Sequence, residues 1–523
     1  MKKNFRFWIL DFGMAAILGA GLLAPSAQAE DWTMWGRSPL RHMISPEKNP
    51  PMDWKVPSGE GDKGTNILWY ADLGSKSYGN PTIAEGVVYV GTNNGAVRDK
   101  NFTADGGVLM AFEEKTGKFL WQRYSAKLAT GRVNDWPGEG LCSTVYAEPG
   151  KIWFATNRCE VVCLGVGPSD MSNGIPRELW VYDMIKELGV FPHNMTACSI
   201  ASWGDLIFMI TSNGVDDTHK HLPAPQAPSI ICLNKNTGKL VWMDNTPGIN
   251  VLHGQWASPA ITEVNGTPLV IAPLGDGWVY AFNARDGKIV WRFDCNPKDA
   301  VYPQTRNELI ATPTIVDNKM YIANGQDPEH GEGTALLWCV DITKTGDVSA
   351  ELPADPNAPK PAVGQELISP VGQQATKGKP NPNSAVVWKF ESSDLNKNGK
   401  IERKERMNRT ISTCVVIDGL VFAPDFSGFL HCLDAKTGQV YWVYDMESAM
   451  WGSPLAVDGK IYLTDENGNV RIFAISKEMK LLSPSDEHLN LGSASYCSPV
   501  FANGVMYLTN RERLFAIKAG GGN

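Results

Sequence analysis

Four stretches of this chain are built to one plan. Ala111–Trp121 reads AFEEKTGKFLW, Cys232–Trp242 reads CLNKNTGKLVW, Ala281–Trp291 reads AFNARDGKIVW and Cys432–Trp442 reads CLDAKTGQVYW. In each, a short apolar run enters a polar turn ending on glycine, and the chain returns to a tryptophan. That pattern is a β-hairpin, and the glycine supplies the positive φ that the turn requires. A second unit precedes each hairpin, as in Ala311–Ala323 and Gly452–Thr464: two strands joined by a tight turn such as Asp418-Gly419, Asp458-Gly459 or Asn503-Gly504. Related segments begin near Asn80, Ser143, Cys198, Ser258, Ala311, Ser412, Gly452 and Ser498, eight in all. Strand-and-turn repeats with a period of about fifty residues specify a propeller.

The strand-ending tryptophans are Trp69, Trp121, Trp180, Trp242, Trp291, Trp388 and Trp442; the blade near Leu481 has none. Ile67–Trp69 comes before any complete unit, and Arg513–Lys518 has no returning strand after it. An N-terminal strand that completes the last blade would close the ring and remove its free edges. The expected fold is all-β: one eight-bladed propeller of four-stranded blades over residues 30–523. Two insertions lengthen hairpin turns: Gly165–Arg177, and the Pro-, Gly- and Lys-rich Thr343–Ser384, read as an exposed loop.

Residues 1–29 read as a cleavable export signal. Lys2, Lys3 and Arg6 form the basic end, Met14–Leu23 the apolar core, and Ala27-Gln-Ala29 the small-x-small cleavage site. The residue after the cut is Glu30, not cysteine, so no lipid anchor is expected. No later apolar run is long enough for a membrane span. The expected location is the periplasm or the medium. The formal net charge is −8, and losing the basic leader makes it more negative, which argues against nucleic acid as a partner. Ten cysteines in an exported chain permit disulfides. Yet Cys163, Cys232, Cys339 and Cys432 stand where other repeats carry Ala, the position of a small buried side chain. One disulfide among Cys142, Cys159 and Cys163 is the alternative.

In such blades the tight turns and the Lys-Thr-Gly turns share one face. The other face gathers longer, chemically varied connections, and functional side chains belong where loops vary on a rigid scaffold. The clearest local signal there is Asp394-Leu-Asn-Lys-Asn-Gly-Lys-Ile-Glu-Arg-Lys-Glu405. It has the spacing of a twelve-residue EF-type calcium loop. Asp394, Asn396 and Asn398 supply oxygens at positions one, three and five, and Lys400 supplies its carbonyl at seven. Glu402 stands at nine and Glu405 is the bidentate twelfth, with Gly399 at the sharp turn and Ile401 as a buried eighth residue. Two Asn in place of Asp and neighbouring cations set an affinity of roughly 10⁻⁴–10⁻³ M. The site would be structural, ordering the rim of the central funnel.

A second set on the same face is His193, His253, Trp256, Arg306, Glu308, Arg409 and Trp451. Two readings stay open. These residues fill the wide channel and pair with one another, or they hold a flat anionic ligand stacked on Trp and clamped by Arg. Thr218-His-Lys-His221 reads as a solvated loop, with metal binding as its alternative.

The tryptophan hairpins resemble the Trp-docking repeat of quinoproteins, the pyrroloquinoline-quinone-like propeller family. With Trp32-Thr-Met-Trp-Gly36, Val133-Asn-Asp-Trp136, His253-Gly-Gln-Trp256 and Gln326-Asp-Pro-Glu-His-Gly331, the chain is similar to secreted bacterial propellers related to the propeller lipoprotein of outer-membrane protein assembly. The resemblance implies that each Trp stacks on the neighbouring blade. It also implies one of two functions. The first is an exported binding or scaffold propeller with a structural calcium site, whose funnel takes an envelope protein or a small molecule. The second is a periplasmic alcohol or sugar dehydrogenase dependent on pyrroloquinoline quinone and calcium. In the latter, Trp256 or Trp451 would stack the quinone, Arg306 or Arg409 would hold its carboxylates, and Glu308 would be the base. Family dehydrogenases carry adjacent cysteines above the quinone; this chain has no adjacent pair, which ranks the scaffold first.

Overall fold

The computed structural model describes residues 30–59, 61–354, 377–483 and 489–520. The expected export signal, 1–29, lies outside them. Eight small, mainly antiparallel sheets form the eight blades of a propeller. Their inner strands are Thr82–Ala84, Tyr146–Glu148, Ala201–Trp203, Ala260–Val264, Thr314–Val316, Val415–Ile417, Leu455–Val457 and Val500–Ala502, one for each repeat read in the sequence. Ile67–Asp72 pairs antiparallel with Arg513–Lys518, so the N-terminal strand does close the last blade.

The recurring hairpin has a physical logic. Cys432 lies directly across from Trp442, Cys232 from Trp242, Ala111 from Trp121 and Ala281 from Trp291. A small residue at that position leaves room for the indole opposite. Each of these pairs is followed by a register shift, a bulge that re-aims the tryptophan. The ring then lands on the next blade. Trp242 donates from Nε1 to the Ala284 carbonyl at 2.9 Å, and Trp388 to that of Ala435 at 3.0 Å. A Cβ on Gly287 or Gly438 would sit 2.8 or 2.7 Å from those indoles, so the turn glycine makes the seat as well as the turn.

The inner strands have one edge facing the channel, with amides that no sheet neighbour can accept. The segment Trp32–Ser45 winds round the inside of the channel and takes them. Ile83, Ala147, Ile261, Ile315 and Ala456 donate their amides to the carbonyls of Trp32, Thr33, Pro39, Leu40 and Met43. Left-handed backbone at Arg37, Arg41 and Met43 turns the segment from blade to blade. Arg41 is fully buried. Its guanidinium donates from Nε to the Pro259 carbonyl at 2.9 Å, from Nη1 to that of Trp35 at 2.6 Å and from Nη2 to that of Ile200 at 3.2 Å. Channel filling was one reading of the histidines, tryptophans and arginines on the varied face; much of it falls to this N-terminal segment instead.

Two details differ from the simple repeat. The blade near Leu481 has three named strands from Leu455 to Ala474 and, among the described residues, only two isolated bridges on its outer edge, Phe473 to Leu481 and Asn469 to Asn490; its fourth strand is Ile44–Ser45, parallel on the inner edge. The Thr343–Ser384 insertion is not simply an exposed loop. Gly346–Asp347 adds a fifth strand beside Trp291, and Val348 and Ser349 are buried. Its middle, 355–376, lies outside the described residues. All ten cysteines are free and buried, so the small-side-chain reading holds and the disulfide alternative does not. No helix among the described residues is long and apolar enough to cross a membrane.

Candidate functional site

A funnel opens on the face of long connections and encloses about 330 Å³. Its floor is a ring of one polar residue per blade: Asn80, Thr144, Ser199, Ser258, Thr312, Thr413, Ser453 and Ser498. Each sits two residues before its inner strand, where the channel-facing position of every repeat coincides. The amides pass hydrogen bonds round the ring. Thr144 N donates to Ser199 Oγ at 3.0 Å, Ser199 N to Ser258 Oγ at 2.9 Å, Ser453 N to Ser498 Oγ at 2.7 Å, and Ser498 N to Asn80 Oδ1 at 2.6 Å. Trp35, from the channel segment, also lines the cavity.

One wall is aromatic. Tyr78 and Tyr496 stack at 4.8 Å, and Trp451 meets Tyr496 edge-on at 5.2 Å. Trp136 and Trp256 also line the cavity. The lining also carries three carboxylates, Glu139, Asp327 and Glu329. Glu139 is nearly buried and pairs with Lys76 at 2.8 Å. Burial pushes the Asp327 carboxyl up to about 6. Among the described residues that line the funnel there is no Arg, Lys or His.

The residues singled out in the sequence are therefore split. Trp256 and Trp451 are on the wall. Arg306 is not: it pairs with Asp294 at 3.1 Å and donates to the Asp276 carbonyl at 2.8 Å. Arg409 is not either. It donates to the carbonyls of Pro303 at 2.8 Å, His330 at 3.0 Å and Gly331 at 3.2 Å, and to Asn307 Oδ1 at 3.1 Å. Both arginines are tied to the fold through the groups that a ligand carboxylate would have to displace. Glu308 is buried beside His253 and accepts from the Asp327 amide at 3.1 Å.

His193 and His253 lie one layer behind Trp256, whose Nε1 donates to the His193 carbonyl at 3.0 Å. Around them the fold gathers His219, from the loop read as solvated, together with His330 and Glu329. His221 stays outside this group, 3.2 Å from Asp216. Burial, with the charge of His253 beside it, pushes His193 down to about 3. Burial also works against His253 being charged, but contacts with Glu308 and Glu329 outweigh it and raise that ring to about 10. Glu329 is held down to about 2, chiefly by His253. Tyr78, Glu139 and Glu329 were not singled out as site residues; their signal was only their place in connections on the varied face, between blades for Tyr78 and Glu139 and within the fifth blade for Glu329.

The twelve-residue loop lies between the fifth and sixth blades, after Val386–Phe390 and before Val415–Ile417. Asp394 accepts from the amides of Asn398 at 3.1 Å and Gly399 at 2.9 Å. Glu405 closes the loop, accepting from the amides of Leu395 and Glu402, each at 2.9 Å. Asn396 donates to Glu402 at 2.9 Å, Asn398 approaches the same carboxylate at 3.3 Å, and the Lys400 amide binds Asn398 Oδ1 at 2.8 Å. Ile401, expected to be buried, is exposed: a single turn, Arg403–Glu405, ends the loop, and among the described residues no paired loop stands against it.

Comparison with known proteins agrees with this architecture. The family model described as "Outer membrane protein assembly factor BamB" matches residues 62–146, 206–356 and 380–523. The outer membrane protein assembly factor BamB of Yersinia pestis is 26% identical over 320 residues, covering 57% of this chain and 74% of that one. The BamB structure from Moraxella catarrhalis superposes with a TM-score of 0.51 at 14% identity, covering 87% of this chain and 98% of that one. A europium-containing methanol dehydrogenase superposes with a TM-score of 0.58 at 11% identity, covering 93% and 98%; at these identities the likeness is one of fold. The matched segments span well over half of the sequence, and the chain belongs to the BamB family of pyrroloquinoline-quinone-like β-propellers.

Proposed function

We propose that this protein is an exported binding propeller whose funnel receives a neutral or cationic segment of an envelope partner, and whose twelve-residue loop holds a structural calcium ion. The observation that carries the reading is the chemistry of the funnel lining: aromatic rings together with three carboxylates, and no Arg, Lys or His among the described residues that line it. Aromatic faces attract cations and apolar groups, and a carboxylate rim adds to that attraction. A tricarboxylate quinone meets the opposite field. The arginines that would have held it, Arg306 and Arg409, are committed elsewhere. The dehydrogenase alternative, represented among the relatives by the methanol dehydrogenase, is thereby disfavoured, and Glu308 has no route to a substrate hydroxyl on the funnel wall. The BamB relatives, named as assembly factors, fit a protein partner in the envelope.

The test is site-specific photocrosslinking in the cell envelope. A photoreactive residue at Tyr496, on the funnel wall, should yield a discrete adduct that disappears with Trp451→Ala. The same residue at Lys115, on the opposite face, should not yield it. Equal labelling at both positions, or none at Tyr496, would refute the funnel as the binding surface.

The loop makes a separate prediction. Asp394 and Glu405 already shape the loop through its amides, and the remaining oxygens of Asn396, Asn398, Lys400 and Glu402 complete the set expected for calcium. Millimolar calcium should raise the melting temperature by a few degrees, and Asp394→Ala should abolish the rise. A rise that survives Asp394→Ala places the ion elsewhere.

A further inference from the structure

We propose that His193, His219, His253 and Glu329 form a binding site for one divalent first-row transition-metal ion, of which zinc is the model, set directly behind the funnel wall. The inference goes beyond the binding function above and does not depend on it, because none of its three histidines lines the cavity and calcium plays no part in it.

The geometry is that of a closed ligand set. One ligand atom from each of the four residues lies within 4.8 Å of all the others. The ring centroids of His193 and His253 are 4.4 Å apart, and those of His219 and His253 are 4.6 Å apart. Three imidazoles and one carboxylate match the preference of zinc and its neighbours for nitrogen with a single oxygen; calcium, which takes oxygen ligands, is not served by this set.

The orientation of the rings is the second observation. His193 is fully buried, and its Nδ1 lies 2.7 Å from the Val215 carbonyl oxygen. That oxygen can only accept, so the ring proton sits on Nδ1. The lone pair of Nε2 is left inside the cluster, where the buried atom has no hydrogen-bond partner. An unpaired buried nitrogen is costly unless something occupies it. His253, also fully buried, presents Nε2 toward Glu329 Oε1 at 3.3 Å, and its Nδ1 faces Glu308 Oε1 at 3.6 Å, neither contact aligned as a hydrogen bond. A carboxylate behind Nδ1 is the arrangement that orients a metal-bound imidazole. Glu308 is therefore a positioning residue, and its own buried Oε2 is likewise unpartnered. His219 is brought in by backbone in the left-handed region, φ 57°, with Nδ1 3.4 Å from Glu329 Oε1.

An ion pair alone does not account for this arrangement. One charged His253 between Glu308 and Glu329 would leave His193 Nε2 unsatisfied and two further imidazoles crowded against a cation. A dication gives all four ligand atoms a common partner. Glu329 is at once a ligand and part of the funnel wall, so the ion would fix the loop from Gln326 to Gly331 that forms that wall.

The experiment titrates the purified full chain, after chelation and desalting, with Zn²⁺ and separately with Co²⁺. One equivalent of each should bind. Cobalt should give the strong visible ligand-field absorption of a four- or five-coordinate ion, and zinc should displace it. His219→Gln, at a half-exposed position that the core does not need, should weaken binding by about 10- to 100-fold or more with an unchanged circular dichroism spectrum. Glu308→Gln should weaken it by about 10- to 100-fold, and His221→Ala should leave it unchanged. Absence of stoichiometric uptake of either metal would overturn the proposal. So would uptake that His219→Gln and Glu329→Gln leave intact, or that His221→Ala removes.

Discussion

Replacing Arg41 by Ala should destabilise the propeller by about 3–5 kcal/mol, among the largest effects of any single substitution outside the blade cores. The side chain is fully buried in the channel, and its donors serve the carbonyls of Trp35, Pro259 and Ile200. Truncation strands those acceptors where water does not reach them, at about 1–3 kcal/mol for each buried group left unpaired. It also loosens the segment that accepts the inner-edge amides of Ile83, Ala147, Ile261, Ile315 and Ala456. Burial lowers the guanidinium to about 10, so it remains a cation at neutral pH and its hydrogen bonds are charge-assisted. Arg41→Lys should recover only part of the loss, because one ammonium does not span carbonyls lying in three directions. The midpoint of urea unfolding reports the difference. A shift equivalent to less than about 0.5 kcal/mol, the scale of a surface substitution, would show that the channel segment is not coupled to the ring.

Arg409→Ala should cost about 2–4 kcal/mol and should also disturb the funnel. Arg409 binds the carbonyls of Pro303, His330 and Gly331 and the Asn307 side chain, joining the entry to the sixth blade to the loop that carries Asp327, Glu329 and His330. Without it, the loop loses its principal charged anchor. Amide hydrogen exchange over Gln326–Gly333 should accelerate by at least about tenfold, which corresponds to about 1.4 kcal/mol of local opening, while exchange in the opposite blades stays unchanged. Exchange that accelerates uniformly round the ring would mean that Arg409 supports the whole fold and not this loop. A ligand-clamping role predicts the reverse pattern: little loss of stability and selective loss of binding.

The blades were legible because their signals are local and repeated. A small residue facing a tryptophan, a turn ending on glycine and an Asp-Gly or Asn-Gly corner each specify the next few residues, and eight repetitions specify a ring. Closure by Ile67–Asp72 followed from counting strands at the two ends. The channel segment was not legible. Trp32–Ser45 has no periodicity, since it runs across strand edges instead of along a sheet, and its partners lie as far away as Ala456. The site was legible only in part. Trp256 and Trp451 could be placed on the correct face because links between blades emerge there. Arg306 and Arg409 occupy the same links, but Asp294 and a set of backbone carbonyls claim them, and a backbone carbonyl leaves no trace in side-chain identity. His219 was hidden for a related reason: the loop Asp216–His221 reads as polar and solvated, and only its left-handed turn sends one histidine inward and the other out.

The most direct test of a binding propeller against a quinone enzyme is calorimetric titration of the chain from Glu30 onward with pyrroloquinoline quinone in millimolar calcium. A funnel walled by Glu139, Asp327 and Glu329, with its candidate arginines engaged elsewhere, predicts no saturable heat beyond dilution. Tight one-to-one binding, lost in Trp256→Ala, would contradict the account and return the protein to the dehydrogenases.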